Sequence, residues 1–512
     1  VSGPPTVGAM LACVTTFALE GITPRRVTVE VDVRPGLPAF TIVGLGDRAV
    51  RESRERVRAA IQNAGWSFPQ QRVTVNLAPA DLRKEGPGFD LAVACGVLAA
   101  IGAVPPDALA TTAVFGELAL GGALRACRGA LAVAEGAVAA GLDAIVLPAE
   151  QVAEAQIVRG IAISGAAGLQ EVAAILCGTS SGQVPSAQPR RPAHDGPDLA
   201  DVRGHAGPIR ALTIAAAGGH HLLLSGPPGT GKTMLARRLP GILPPLSPQA
   251  ELEVLRIRSV SGLPARSGAP IRPFRAPHHT ISAAGLVGGG AVPTPGEVTL
   301  AHRGVLFLDE LAEFSRAALE ALRQPLEDGA LTIVRGQRAA TYPSIVQLVA
   351  ATNPCPCGYA GSPRCRCGEA DVEQYARKLS GPLLDRLDLA ADVQRPSEEE
   401  LAGPPAITSR QAAEAVQAAR QRQTERAAST AAPGVNALLS DADLRALPVA
   451  ADAQAVIRRA YRRGLLSPRG RGRLLRVART IADLAEREEI TEPDVLEALA
   501  LRPGVAAEAA SR

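Results

Sequence analysis

The sequence predicts an α/β fold: a parallel sheet flanked by helices, with a second α/β domain before it and a small helical domain after it. Three observations predict this. The chain has 512 residues, too many for one hydrophobic core, so roughly two to four domains are expected. Three short and nearly uninterrupted apolar runs, at 220–225, 304–308 and 344–351, read as strands covered on both faces, the signature of a parallel sheet. From 409 onward the pattern turns helical, with apolar residues recurring at helical spacing between capping residues.

Taken in order, residues 1–177 read as one α/β domain. The stretch 26–33 (RVTVEVDV) alternates at period two, as a half-buried strand does, and 39–45 and Arg72–Ala78 are further strands. Residues 47–64 carry helical spacing and stop at Gly65, a C-cap, while 89–100 form a second, more apolar helix. Residues 178–197 are rich in Ser, Gly, Pro and Gln and read as a linker. The parallel-sheet core spans 198–395. The helical domain, 396–512, contains helices at Ser409–Thr430, 441–447, 450–464, 470–488 and 492–501. No repeat of fixed period is evident.

Bulk properties narrow the function classes. Apolar residues make up 46% and charged residues 20%, ordinary for a soluble globular protein. A net charge of +4 is small for this length, so any nucleic-acid surface is a local patch. Residues 1–12 lack a basic segment followed by a long apolar one, so no signal peptide is expected, and no apolar run is long enough to predict a membrane span. A cytoplasmic location is the simplest expectation. Of eight cysteines, Cys13, Cys95, Cys127 and Cys177 lie in apolar surroundings and are expected as buried reduced thiols.

The chemistry begins directly after the run 220–225. Gly226-Pro227-Pro228-Gly229-Thr230-Gly231-Lys232-Thr233 matches G-x-x-x-x-G-K-[ST], between a predicted strand and a helix starting near Gly231. Glycines let the backbone wrap phosphate oxygens with its amides pointing inward. Lys232 is then the cation for the β- and γ-phosphates of ATP, and Thr233 a hydroxyl ligand for Mg2+. The run 304–308 ends in Asp309-Glu310. At the C-terminal edge of a parallel strand, Asp309 can hold Mg2+ and Glu310 can act as general base on the attacking water. The next strand ends at Asn353, whose amide can orient that water. Arg386, in LLDRLD, reads either as a finger reaching a neighbouring subunit's γ-phosphate or as an ordinary ion pair with Asp385 or Asp388. Nine arginines at 458, 459, 462, 463, 469, 471, 473, 476 and 479 accompany no acid, and read as nucleotide or nucleic-acid contacts or as a solvated basic face. Finally, Cys355, Cys357, Cys365 and Cys367 form C-x-C-x7-C-x-C in a Gly/Pro-rich insert at 355–367. Two pairs suit a tetrahedral Zn2+ knuckle, although the spacing within each pair is tighter than usual; the alternative is free or oxidisable thiols.

In this order the motifs resemble those of the magnesium-chelatase-like AAA+ ATPases, and within them the ComM/YifB family, over nearly the whole chain. The segments that carry the resemblance are LEGITPRRVTVEVDVRPGLPAFTIVGL (19–45), NLAPADLRKEGPGFDLA (76–92), IAAAGGHHLLLSGPPGTGKT (214–233), RPFRAPHHTIS (272–282) with the glycine run 285–290, PTPGEVTLAHRGVLFLDEL (293–311), AATNPCPCG (350–358), KLSGPLLDRLDL (378–389) and LSPRGRGRLLRVARTIADL (466–484). The resemblance implies a ring-shaped, hexameric motor on single-stranded or branched DNA, a helicase promoting branch migration in natural transformation. Inserts at 274–290 and 331–342 would face the pore. Arg386 would be the arginine finger and Arg469, with Arg473 as second choice, the sensor-2 residue of the lid. The N-terminal part resembles the Lon protease domain, of the ribosomal S5 domain 2-like fold. Its nucleophile turn reads Lys84-Glu85-Gly86-Pro87-Gly88 here, without a hydroxyl, so no peptidase activity is expected. Arg203-Gly204-His205 stands where relatives have a Gly-Gln pair, which puts an adenine contact there in question. The competing reading is the ATPase subunit of a metal chelatase, whose members lack the Lon-like domain.

Overall fold

The structure is a computed structural model. It describes residues 10–44, 46, 48–84, 86–183, 196–263, 272–290, 294–335, 338–360, 362–378, 381–430 and 434–503. Most of the expected linker, and Glu85 of the turn noted above, lie outside these residues. The chain divides into two compact units, 1–191 with 251–269, and 192–250 with 270–512.

The first unit is built on a mixed seven-stranded sheet: β1 (Met10–Glu20), β2 (Thr23–Arg34), β3 (Ala39–Val43), β4 (Arg72–Ala78), β5 (Thr112–Val114), β6 (Ala144–Pro148) and β7 (Ala162–Ala166), in the order β3-β4-β2-β1-β5-β6-β7. β1 and β2 form a long antiparallel pair, and their alternation sends Val27, Val29, Val31 and Val33 into the core. That core is closed by helices Arg48–Asn63 and Asp90–Ala100, the second apolar on every side and buried throughout. The alternation also corrects one expectation: Cys13 falls on the outward phase of β1 and is exposed, and Cys177, just past helix Leu169–Leu176, is exposed too. Cys95 is buried and Cys127 half-buried.

The helix Pro248–Val260 belongs largely to this first unit, although it follows the phosphate loop in sequence. Arg256 grips Glu135 through two 2.6 Å hydrogen bonds, and Ser259 accepts backbone N–H groups of Gly129 and Leu131.

The second unit carries a five-stranded, all-parallel sheet: β8 (Leu222–Ser225), β9 (Phe274–Arg275), β10 (Val305–Leu308), β11 (Gln347–Thr352) and β12 (Leu389–Asp392), in the order β9-β10-β11-β8-β12. Alternation explains why the strands read as unbroken apolar runs. Leu222, Leu224, Val305, Phe307, Val349 and Ala351 enter one core, while Leu223, Leu306, Leu308, Leu348 and Ala350 enter another on the opposite face. After Asp309-Glu310 a short 3-10 turn, Leu311–Glu313, gives way at Ser315, whose Oγ caps the helix Arg316–Ala321. A hairpin, Ala330–Arg335 with Arg338–Pro343, precedes β11.

The lid consists of helices Ser409–Thr430, Asp441–Ala446, Ala451–Arg462, Pro468–Leu484 and Glu492–Ala500. Helix Pro468–Leu484 starts two residues before its expected position, because Ser467 caps Gly470 N and Pro468 supplies a helical φ in the first turn. A buried polar chain ties this helix to the sheet. His220 Nε2 lies 2.8 Å from Thr480 Oγ1, Asn436 Nδ2 donates to Thr480 and Asp483, and Asp483 accepts from Arg426 and Arg479. Among the described residues no helix is long and apolar enough to cross a membrane.

Candidate active site

At the C-terminal ends of β8, β10 and β11 the chain breaks into loops, and their polar side chains converge. The loop Gly226–Thr233 leaves β8 and enters helix Lys232–Ala236. Two of its glycines are required by geometry. Gly226 packs directly on the Val393 carbonyl, leaving no room for a Cβ, and Gly231 caps the helix at φ 95°, in the left-handed region. Thr230 Oγ1 donates to Pro227 O at 2.9 Å and fixes the bend.

Lys232 Nζ donates to the carbonyls of Gly226 (2.6 Å) and Pro227 (2.8 Å) and to Asn353 Oδ1 (3.1 Å). Burial pushes its ammonium below the usual lysine range, against the opposing pull of Asp309, Glu310 and Asp392. Such a cation, half desolvated among neutral acceptors, gains most from an anionic ligand. Thr233 Oγ1 donates to Asp309 Oδ2 at 2.6 Å, while Asp309 Oδ1 accepts the Glu310 N–H at 3.0 Å. A hydroxyl and a carboxylate oxygen therefore meet at one point, a hard-donor set suited to Mg2+. The acidic pair is not on the strand beside the loop strand: β11 lies between β8 and β10, and puts Asn353 between the phosphate loop and the acids.

Glu310 is exposed and sits at φ 52°, left-handed for a residue with a side chain. Its carboxylate lies 3.2 Å from His279 Nδ1. Sequence reasoning singled out the segment RPFRAPHHTIS without assigning His279 a role. The two adjacent histidines, three and four residues beyond the edge strand β9, were the available signal. His205, likewise unassigned, precedes helix Ala206–Gly218 with its Nε2 close to Gly231. Burial lowers its pKa, against the opposing pull of Glu400.

Two expected residues are placed apart from this group. Arg386 pairs with Glu327, not with Asp385 or Asp388. Instead Asp388 accepts the His221 N–H and faces His220, while Asp385 faces Arg473. Arg469 is exposed in the first turn of helix Pro468–Leu484 and makes no hydrogen bond or ion pair among the described residues. The arginine-rich stretch splits in two. Arg473, Arg476 and Arg479 bind the backbone carbonyls of Leu387, Leu439 and Glu488, whereas Arg458, Arg459, Arg462, Arg463, Arg469 and Arg471 are exposed.

The four clustered cysteines are brought together, with all four Sγ atoms within 4.8 Å of one another. In the first unit Lys84 and Gly88 are both buried. A Cβ at Gly88 would sit 2.7 Å from the Phe115 ring, Lys84 is buried and donates to Pro79 O, and Asp90 is sealed by Arg56 at 2.7 and 3.0 Å.

Three family models match most of the chain. Residues 198–401 match the family described as magnesium chelatase, subunit ChlI; residues 29–151 match subunit ChlI of Mg-chelatase; and residues 406–502 match the ChlI C-terminal family. The chain is 42% identical to YifB of Escherichia coli over 499 residues, covering 96% of this chain and 97% of YifB. It is 40% identical to the competence protein ComM of Haemophilus influenzae over 504 residues, covering 96% and 97%. Over 136 residues, a quarter of each chain, it is 32% identical to Lon protease 2 of Bacillus subtilis. The chain therefore belongs to the magnesium-chelatase family of AAA+ ATPases, among relatives of the YifB and ComM type.

Proposed function

We propose that this protein is an ATP-hydrolysing motor of the ComM type: a hexameric, cytoplasmic DNA helicase that promotes branch migration in recombination and natural transformation. ATP and Mg2+ serve the phosphate loop, and Zn2+ serves the cysteine cluster. The observation that carries the ATPase reading is the 2.6 Å contact between Thr233 Oγ1 and Asp309 Oδ2, beside the Lys232–Asn353 contact. Mg2+, when bound, neutralises charge on the β- and γ-phosphates. The remaining work belongs to the chain. Thr233 and Asp309 hold the metal site together. Lys232 leaves the carbonyls of Gly226 and Pro227 for phosphate oxygens. Asn353 orients the attacking water and Glu310 takes its proton.

His279 holds Glu310 aside until a ligand moves the 272–282 segment. Arg386 leaves Glu327 to reach the γ-phosphate of the adjoining subunit, and Arg469 approaches the nucleotide from the lid. Support for the DNA reading comes from the exposed arginines of 458–471 and from the name of the relative ComM, a competence protein. Support for the absence of peptidase activity comes from Phe115, which fills the space a side chain at Gly88 would need.

The test is ATP turnover with and without single-stranded or forked DNA at low salt, where phosphate contacts are strongest. Turnover is expected to rise severalfold with DNA. No binding and no stimulation would overturn the DNA reading, and stimulation by a partner protein instead would favour a chelatase-like remodelling role.

A further inference from the structure

We infer that the zinc knuckle is a prop for the phosphate-binding loop, so that loss of its metal loosens the nucleotide site. This inference rests on the reading of Gly226–Thr233 as an ATP site and assigns it a structural dependence. The thiol geometry comes first. Cys355 Sγ lies 3.3 Å from Cys357 Sγ and 3.9 Å from Cys365 Sγ, and Cys357 lies 3.7 Å from Cys365. A zinc ion with bonds of about 2.3 Å to four sulfurs at tetrahedral angles spaces them about 3.8 Å apart. These three spacings, with Cys367 Sγ within 4.8 Å of the other sulfurs, suit four thiolates around a single tetrahedral ion. The thiols are not paired as disulfides, and the Ala360 N–H points at Cys355 Sγ at 3.2 Å, as a donor supporting a metal-bound thiolate does.

The second step is what the knuckle touches. Cys355 is buried and only Pro354 separates it from Asn353, the residue in contact with Lys232. The turn is closed by the Gly358 N–H on Cys355 O at 2.9 Å. Gly358, at φ 84°, lies so close to the loop that a Cβ there would meet Pro228 Cδ at 2.5 Å. One short segment thus backs the phosphate loop at Pro228 and anchors Asn353 at the same time.

The third step is what else could hold that segment. Between Thr352 and Glu369 the described residues form no helix or strand. A loop of this length without a ladder or a helix gains order from its cross-link, and the free energy of metal binding becomes local folding free energy. Without the ion, the backing of Pro228 and the placement of Asn353 relax together.

The experiment uses the full chain and the double variant Cys365→Ser/Cys367→Ser, which leaves Cys355 and its backbone untouched. Bound zinc is counted by elemental analysis, and affinity for a fluorescent ATP analogue is measured with excess Mg2+ and no DNA. The inference predicts about one zinc per chain in the wild type and none in the variant. It predicts an analogue affinity at least about tenfold weaker in the variant, with the main thermal transition retained. Wild-type protein stripped with a zinc-selective chelator should lose the same affinity and recover it with Zn2+ but not with further Mg2+; this arm decides the matter if the variant does not fold. Zinc below about a tenth per chain would overturn the metal site. Full zinc with analogue binding unchanged within about twofold after its removal would overturn the prop. Wild-type protein that carries zinc but binds no analogue would instead sink the ATP reading on which the inference rests.

Discussion

Two glycine- and proline-rich turns in this molecule follow a strand, precede a helix and contain a lysine, yet they handle polar groups in opposite ways. In Gly226–Thr233 the first glycine sits against the Val393 carbonyl, and the side chains of Lys232 and Thr233 extend to Asn353 and Asp309 across two neighbouring strands. In the turn around Gly86–Gly88, Phe115 covers Gly88, Lys84 is buried on a carbonyl, and Asp90 is sealed by Arg56. On the proposed reading Lys232 exchanges its carbonyl partners for a ligand, whereas Lys84 and Asp90 keep their internal partners. A likeness to a protease over a quarter of the chain therefore conveys a fold, whereas the chemistry follows the side chains that remain available.

This contrast can be broken by mutation. The largest effect is expected for Lys232→Ala, which should abolish detectable ATP turnover, measured by phosphate release; residual turnover near wild type would mean that the loop is not the reactive one. Arg386→Ala should leave nucleotide binding intact and lower turnover about 1,000-fold or more in the assembled ring. Wild-type-like turnover there would leave Arg386 as the partner of Glu327 and nothing more. Glu310→Gln should keep ATP binding and slow hydrolysis about 100-fold or more, as removal of a general base does. On the other side of the comparison, Gly88→Ser should lower stability by about 1–3 kcal/mol through overpacking against Phe115, read by denaturant unfolding, and should give no hydrolysis of a casein substrate. Peptidase activity in that variant would show the turn to be open after all.

Much of the second unit was legible because its signals are local. The phosphate loop is contiguous, and β8, β10 and β11 announce themselves as apolar runs because both faces of the sheet are covered. The edges of that sheet were not legible: β9 has only two residues, and β12 reads Leu-Ala-Ala-Asp, too short and too plain to stand out. The same holds for β5 and β7 in the first unit, whose small residues and brevity mask the strand period. Cys13 was misjudged because apolar neighbours do not reveal which phase of a strand a residue occupies. The contact of His279 with Glu310 joins residues from two different loops, and only the sheet order brings them together.

The central claim is that this phosphate loop is half of a site completed by Arg386 of the adjoining subunit. It is tested most directly by mixing two inactive proteins, Lys232→Ala and Arg386→Ala, at equal amounts and measuring ATP turnover. Random assembly restores an intact loop facing an intact arginine at about a quarter of the interfaces, so the mixture should regain turnover that neither variant has alone. A mixture as inactive as its components at every ratio, under conditions where subunits exchange, would contradict the shared site.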